Sequence, residues 1–370
     1  MSYARARLWL GITGVGTVVV LCVLFLALRL PAVLLPTGTQ FVPRDVVALA
    51  TVLFVYAAVQ GAFDFFGGHI LPTEYARTTR PFAAFLMGWL RGGVCHSAML
   101  LAVGLTLLTA ARWGGFWGTF GAFAGWSVVL IAAQSAIAAI IGGVSYRRDT
   151  GEKRTVIASS ESPYFTGGIA GLPGFETVIL PARWGMIFSP EAQTAIRLRK
   201  RETVRSGART RGLALALGFN SIGFALAYAA GGGTASVAGL VATSLYFTLW
   251  SFVGLLMLPT PSKRGVFEAD HRAVAAGAST DTLTNVIQTL DRDQDDEPAR
   301  PNGVETVFHP LPSVERRLAR LAMPETGGDP GAWHAARMAI YLSWAGMSLL
   351  SRSVHCNAGR PDAWVFLPSD

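Results

Sequence analysis

The sequence predicts an α-helical polytopic membrane protein, with about six transmembrane helices and a split, mainly helical α+β domain on the cytoplasmic side. Three observations predict it. Of 370 residues, 51% are hydrophobic and only 15% charged, with a mean hydropathy of +0.42, whereas soluble domains carry about 25% charged residues. The apolar residues gather into runs of the ~20 residues that a helix needs to cross a bilayer. The basic residues gather in alternate loops between those runs, the asymmetry that orients membrane helices.

The spans follow in order. After a basic head, Met1 to Arg7, the first runs from Leu8 to Leu28. It is longer than the 7–15 residues of a signal-peptide core and ends in Arg29-Leu30-Pro31, so it reads as a retained anchor. The second covers Val46 to Phe66, the third Phe82 to Ala110 and the fourth Phe116 to Gly142. The fifth, Gly212 to Ala230, and the sixth, Ala235 to Leu258, form a hairpin around Gly231-Gly232-Gly233. Continuous runs of this length are helices, because only a helix or a closed barrel satisfies its backbone in lipid.

Net charge is +8. With the N-terminus inside, Arg5, Arg7, Arg77, Arg80, Arg147, Arg148, the cluster from Arg197 to Arg211, Lys263 and Arg264 all face the cytoplasm; outside remain Arg29, Arg44 and Arg112. This pattern assigns the excess charge to topology at the cell (inner) membrane and predicts no nucleic-acid partner. The domain plan is a four-helix membrane region at 1–144, soluble halves at 145–211 and 259–325 separated by the hairpin at 212–258, and a tail at 326–370. The three cysteines, Cys22, Cys95 and Cys356, form no CxxC pair, so no disulfide framework or thiolate zinc site is readable.

Polar groups inside the spans are Asp64, Arg91, His96, Gln134 and Asn220. Ionisable groups at membrane depth are functional candidates. The plainer reading is a structural Asp64–Arg91 pair, with His96 bonded to a neighbouring helix.

In the first soluble half, Thr155 to Ser159 reads as a strand, Glu161 to Gly174 as a glycine-rich loop and Glu176 to Leu180 as a second strand. The loop lacks both the G-K-[ST] ending and the G-x-G-x-x-G spacing of nucleotide-binding loops. Ser189-Pro190-Glu191 starts a helix, with Ser as N-cap and Pro at the first position. The helix carries Arg201-Glu202-Thr203-Val204-Arg205. With His for both arginines this would be H-E-x-x-H, which places two imidazoles one turn apart on a zinc ion and a general base beside them. Taken alone, the helix reads as a basic interfacial segment.

The second soluble half continues with VFEADHRAV (266–274) and a helical stretch from Glu268 to Asp291. The acid run from Asp291 to Glu297 lacks the Gly and Glu of a calcium loop and reads as a solvated linker. FHPLPSVERRLARL (308–321) follows. This order of parts, from about Thr155 to Leu321, resembles the HtpX-like and CAAX-prenyl-protease-type membrane zinc endopeptidases.

The resemblance implies a metalloprotease-like domain in which two histidines and a glutamate bind zinc. In that alignment Glu202 keeps the place of the general base and Asp270 that of the supporting aspartate. Arg201 and Arg205 stand at the histidine positions and Val266 at the third-ligand position. Arginine has no lone pair to offer, so no metal cofactor is expected, and the two guanidinium groups pair with Glu202 and Asp270. The expected function is a catalytically inactive pseudoprotease in the bilayer that binds membrane-protein or unfolded polypeptide clients. Two alternatives stand beside it. One is an active zinc endopeptidase with non-standard ligation, for which Glu202, Glu268 and His271 offer a poor donor set. The other is a transporter or channel built on Asp64, Arg91 and His96. The tail helix from Trp333 to Arg352 has about fourteen apolar residues, short for a span, and is expected on the soluble domain or at the interface. His355-Cys356 are sequence neighbours and do not make a nucleophile pair.

Overall fold

A computed structural model of the chain describes residues 1–149, 154–294, 296–324 and 331–365. The apolar runs are helices: α1 (Tyr3–Ala27), α2 (Pro43–Phe65), α3 (Phe82–Ala132), α4 (Gln134–Gly142), then, past the sheet and the helix α5 (Pro190–Arg205), α6 (Ala208–Gly231) and α7 (Val237–Met257). Among the described residues, five helices are long and apolar enough to cross a membrane. The longest, α3, has 51 residues and is broken at Gly115, whose φ of 56° and ψ of −139° are open to glycine.

At Gly115 the chain doubles back. A Cβ at Gly118 would lie 2.5 Å from the Ala110 carbonyl, and one at Gly92 would lie 3.1 Å from that of Ile141. The two arms of α3, the second continued by α4, are therefore antiparallel, and they are the third and fourth apolar runs of the sequence. Arg112 at this turn donates to Asp45 (3.0 Å) and to the Ala235 carbonyl (2.8 Å). The turn thus shares one end of the bundle with the start of α2 and the α6–α7 connection. The bundle interior is aromatic, with Phe123 stacked 4.5 Å from Phe224 and edge-on to Phe247.

The soluble part holds a four-stranded sheet in the order β1-β2-β4-β3. Here β2 (Thr155–Ser159) is the strand read from sequence, and β4 (Thr177–Pro181) is the second, one residue later. They pair in parallel, with β1 (Ser145–Arg148) antiparallel to β2 and β3 (Gly168–Ala170) antiparallel to β4. The glycine-rich segment expected as loop therefore contains β3. The second half holds α8 (Pro259–Ala275), α9 (Thr280–Gln294), α10 (Asn302–Phe308) and α11 (Val314–Leu321). The acid run is no free linker. Its first residues extend α9, Arg183 pairs with Asp293, and Glu297 lies 3.2 Å from Arg5.

The largest departure from the sequence reading is the tail. Helix α12 (Ala335–Leu342) packs on α6, α7 and α3, and residues 331–365 run through the interior of the membrane bundle. Trp333, Trp344 and Trp364 are wholly buried. Their burial places the tail inside the helices instead of on the soluble domain or at the interface. Lipid gives no hydrophobic drive for helices to meet, so close packing and polar bonds must hold such a segment. Both are present. A Cβ at Gly68 would lie 2.4 Å from the Gly359 carbonyl, and one at Gly212 2.3 Å from that of Trp333. Asn220 donates to Ala339 O at 2.8 Å, Gln134 to Val365 O at 3.1 Å, and Gln60 to Ser353 Oγ at 2.8 Å.

The same arrangement replaces the expected Asp64–Arg91 pair. Asp64 is bonded by Arg352 of the tail, by Trp89 Nε1 (2.9 Å) and by the Gly359 amide (2.8 Å), while Arg91 lies on the exposed face of α3. His96 makes no hydrogen bond to a neighbouring helix among the described residues; its ring packs 4.4 Å from that of Trp344.

Candidate functional site

Helix α5 begins as its sequence dictates. Ser189 Oγ accepts from the Ala192 amide at 3.2 Å, and Pro190 opens the first turn. Its apolar stripe, Ala192, Ala195 and Ile196, is buried against the rest of the domain. Continued at helical spacing, that face carries Arg199, Lys200 and Thr203, at 3%, 0% and 0% exposure. Helix α8 packs on α5 and brings Val266 (0%) and Asp270 (2%) to the same place, one turn apart.

The centre of the site is Asp270. Arg199 Nε donates to its Oδ1 at 2.5 Å. From α11, Arg317 adds a bidentate pair, Nη2 to Oδ1 at 2.8 Å and Nε to Oδ2 at 2.9 Å. Both arginines are buried. The FHPLPSVERRLARL segment therefore contributes its second consecutive arginine, and its position is fixed by Glu305. That wholly buried carboxylate accepts from the Ser313 amide at 3.1 Å and from Arg316 at 2.8 Å, while Lys263 donates to the Glu305 carbonyl at 2.9 Å.

The positions singled out by R-E-x-x-R lie differently. Arg201 is exposed, and the Arg205 side chain is 82% exposed, 3.5 Å from Glu202 Oε2. Glu202 itself is buried at 8% exposure. The helix brings Arg199 to Asp270. Residues i, i+1 and i+4 on the inward face are Arg199, Lys200 and Thr203, two positions before the sequence motif. Glu268, considered as a substitute ligand, is taken up by Arg211 (2.9 Å), Arg272 (3.0 Å) and the Gly331 amide (3.0 Å).

This donor set does not suit a divalent cation. Arginine stays protonated and offers no lone pair, valine has no donor, and the one carboxylate is neutralised twice. Among the described residues no three His, Cys, Asp or Glu side chains gather where they could hold a metal. Chemically the site is a buried ion-pair network. Removing one partner of such a network is far more costly than the network is stabilising.

Taken together, the helical bundle, the small sheet and the α5–α8–α11 contact define a polytopic helical membrane protein with a mixed α+β domain. The solved structure of S. mikatae Ste24p shares that fold, with a TM-score of 0.62, 11% sequence identity and 76% of each chain covered. At that identity the likeness is one of fold. No protein-family model matches the sequence, and no curated protein does.

Proposed function

We propose that this chain is a membrane pseudoprotease, a binding protein on a metalloprotease-like scaffold. The observation that carries the reading is the Arg199–Asp270–Arg317 network, which fills with guanidinium groups the place where Asp270 would otherwise support a metal ligand. In this reading Arg199 and Thr203 take the two histidine places and Val266 the third. The general-base place of that register falls on Lys200, and Glu202, which holds it in the R-E-x-x-R alignment, lies beside the site with no metal-bound water to activate. The tail running through the bundle supports the same reading, because it takes up interior space with protein.

The partner we propose is a membrane-protein or unfolded polypeptide client that engages the surface beside Glu202. The chain is placed in the inner membrane with its N-terminus and both soluble halves in the cytoplasm, on the charge asymmetry of its loops. The domain division follows the sequence plan, with residues 331–365 of the tail assigned to the membrane region. Asp64 is fully engaged by three donors, which leaves the transport alternative without its first residue.

Metal analysis of purified, chelator-washed protein tests the proposal. Zinc well below one per chain is expected. A stoichiometry near one, with chelator-sensitive cleavage of an unfolded membrane substrate that Glu202→Gln abolishes, establishes the enzyme instead.

A further inference from the structure

A cavity of about 380 Å³ opens between α1, α7 and the 308–317 segment, away from Glu202. Its two ends differ in chemistry. At one end lie Ile12, Val15, Phe252, Leu255 and Leu256. Leu256 is 43% exposed, and a Cβ built at Gly16 on the same rim would meet nothing within 4 Å. This end is a gap between two helices that are both long and apolar enough to span a membrane, so it faces acyl chains. At the other end lie Arg7, Arg337 and Arg360, while beside them Arg317 is held by Asp270 and Arg300 by Asp291 and Glu297.

The cationic end is built and not merely a surface patch. Arg7 is held by the carbonyls of Gly67 (2.5 Å) and His355 (2.6 Å), and Arg360 by Tyr3 Oη (2.9 Å) with its guanidinium 4.0 Å over the Tyr164 ring. Neither bond neutralises its arginine. His309 also lines the cavity. It is 6% exposed, and its Nε2 has no hydrogen-bond partner among the described residues. Burial, with His355 and Arg300 nearby, holds this imidazole at a pKa of about 2, so it stays neutral and can present an N–H.

We propose that this cavity binds one anionic phospholipid, its phosphate among the arginines and His309 and an acyl chain between α1 and α7. The lining is rich in donors and poor in acceptors. That suits a phosphate, which only accepts, and does not suit a polypeptide backbone, which needs both. The headgroup end lies at the basic first turn of α1 and the apolar end deeper along α1 and α7, the order in which a lipid stands in a leaflet. Cationic pockets between membrane helices recognise anionic headgroups in this way.

The test is native mass spectrometry of the full chain in neutral detergent, titrated separately with phosphatidylglycerol, phosphatidylcholine, palmitate and inorganic phosphate. One phosphatidylglycerol per chain is expected at roughly tenfold lower concentration than phosphatidylcholine. Arg337→Gln should shrink that preference, and Ile12→Trp or Gly16→Phe should abolish retention of either lipid. The two filling variants lie one turn apart on α1, and an unchanged melting temperature identifies a folded one. Equal retention of both phospholipids overturns the proposal, as does binding unaffected by a folded filling variant. Palmitate held more tightly than phosphatidylglycerol, or phosphate alone binding as well as the lipid, overturns it too.

Discussion

Arg352 of the tail and Asp64 of α2 form an ion pair across 288 residues of sequence, with both side chains wholly buried. Each is the other's main charge partner at membrane depth. Arg352→Ala leaves a buried carboxylate without its cation, and a loss of ~3–5 kcal/mol is expected. The double variant Asp64→Asn with Arg352→Gln, which removes both charges, should lose much less. Thermal unfolding in detergent checks this; a single variant that melts like the parent refutes the pairing.

Gly359 is the point of closest approach beside that pair. Its φ is +71°, and a Cβ there would sit 2.1 Å from the Asp64 carbonyl. Gly359→Ala should therefore cost at least the ~1–3 kcal/mol of a strained backbone, plus the displacement of α2. A tail that loosens first, seen as faster amide exchange over residues 351–365, is the expected signature.

The proposed site register has a constructive test. Arg199→His, Thr203→His and Val266→Glu together place two imidazoles and a carboxylate on the facing surfaces of α5 and α8. That triple variant should take up about one zinc per chain. The corresponding triple with Arg201→His and Arg205→His should not, because those side chains point outward. Metal content after dialysis decides between the registers, and uptake by the second triple alone would reverse the assignment.

Single substitutions separate the network from its surroundings. Asp270→Asn strands Arg199 and Arg317 in the interior and should destabilise by ~3–5 kcal/mol. Arg205→Ala, on an 82% exposed side chain, should change stability by no more than ~0.5 kcal/mol. Denaturant melts of the two variants give the comparison.

Much of the membrane architecture could be read from the chain because it is encoded locally. Long apolar runs, the triple glycine and the Ser189-Pro190 cap each act within a few residues, and each reappears in the structure. Which face of α5 turns inward could not be taken from the R-E-x-x-R letters, since a motif match ignores the way a helix faces. The signal was present in the stripe Ala192, Ala195 and Ile196, which carries on to Arg199 and Thr203. The partner of Asp64 was out of reach for another reason. Arg91, on the next span, is near in sequence, whereas Arg352 arrives on a segment too short to look like a membrane element. Its fit depends on glycines scattered over several helices, and no local period marks them.

His309 gives the fold a dependence on acidity. The unfolded imidazole takes up a proton below about pH 6.5, while the buried one refuses it down to about 2. The unfolded chain thus binds more protons in that window, and stability falls as pH drops. From pH 7 to 5 this group should account for a loss of up to ~2 kcal/mol. His309→Asn should flatten that part of the pH profile of the melting temperature; an unchanged slope contradicts the buried neutral state.

The tail is synthesised after every helix it touches, yet it ends up surrounded by them. Insertion of the spans and completion of the membrane core must then be separate events in the life of the chain. Until residues 331–365 leave the ribosome, the inserted helices carry an unfilled interior, with Asp64, Gln60 and Asn220 lacking their final partners.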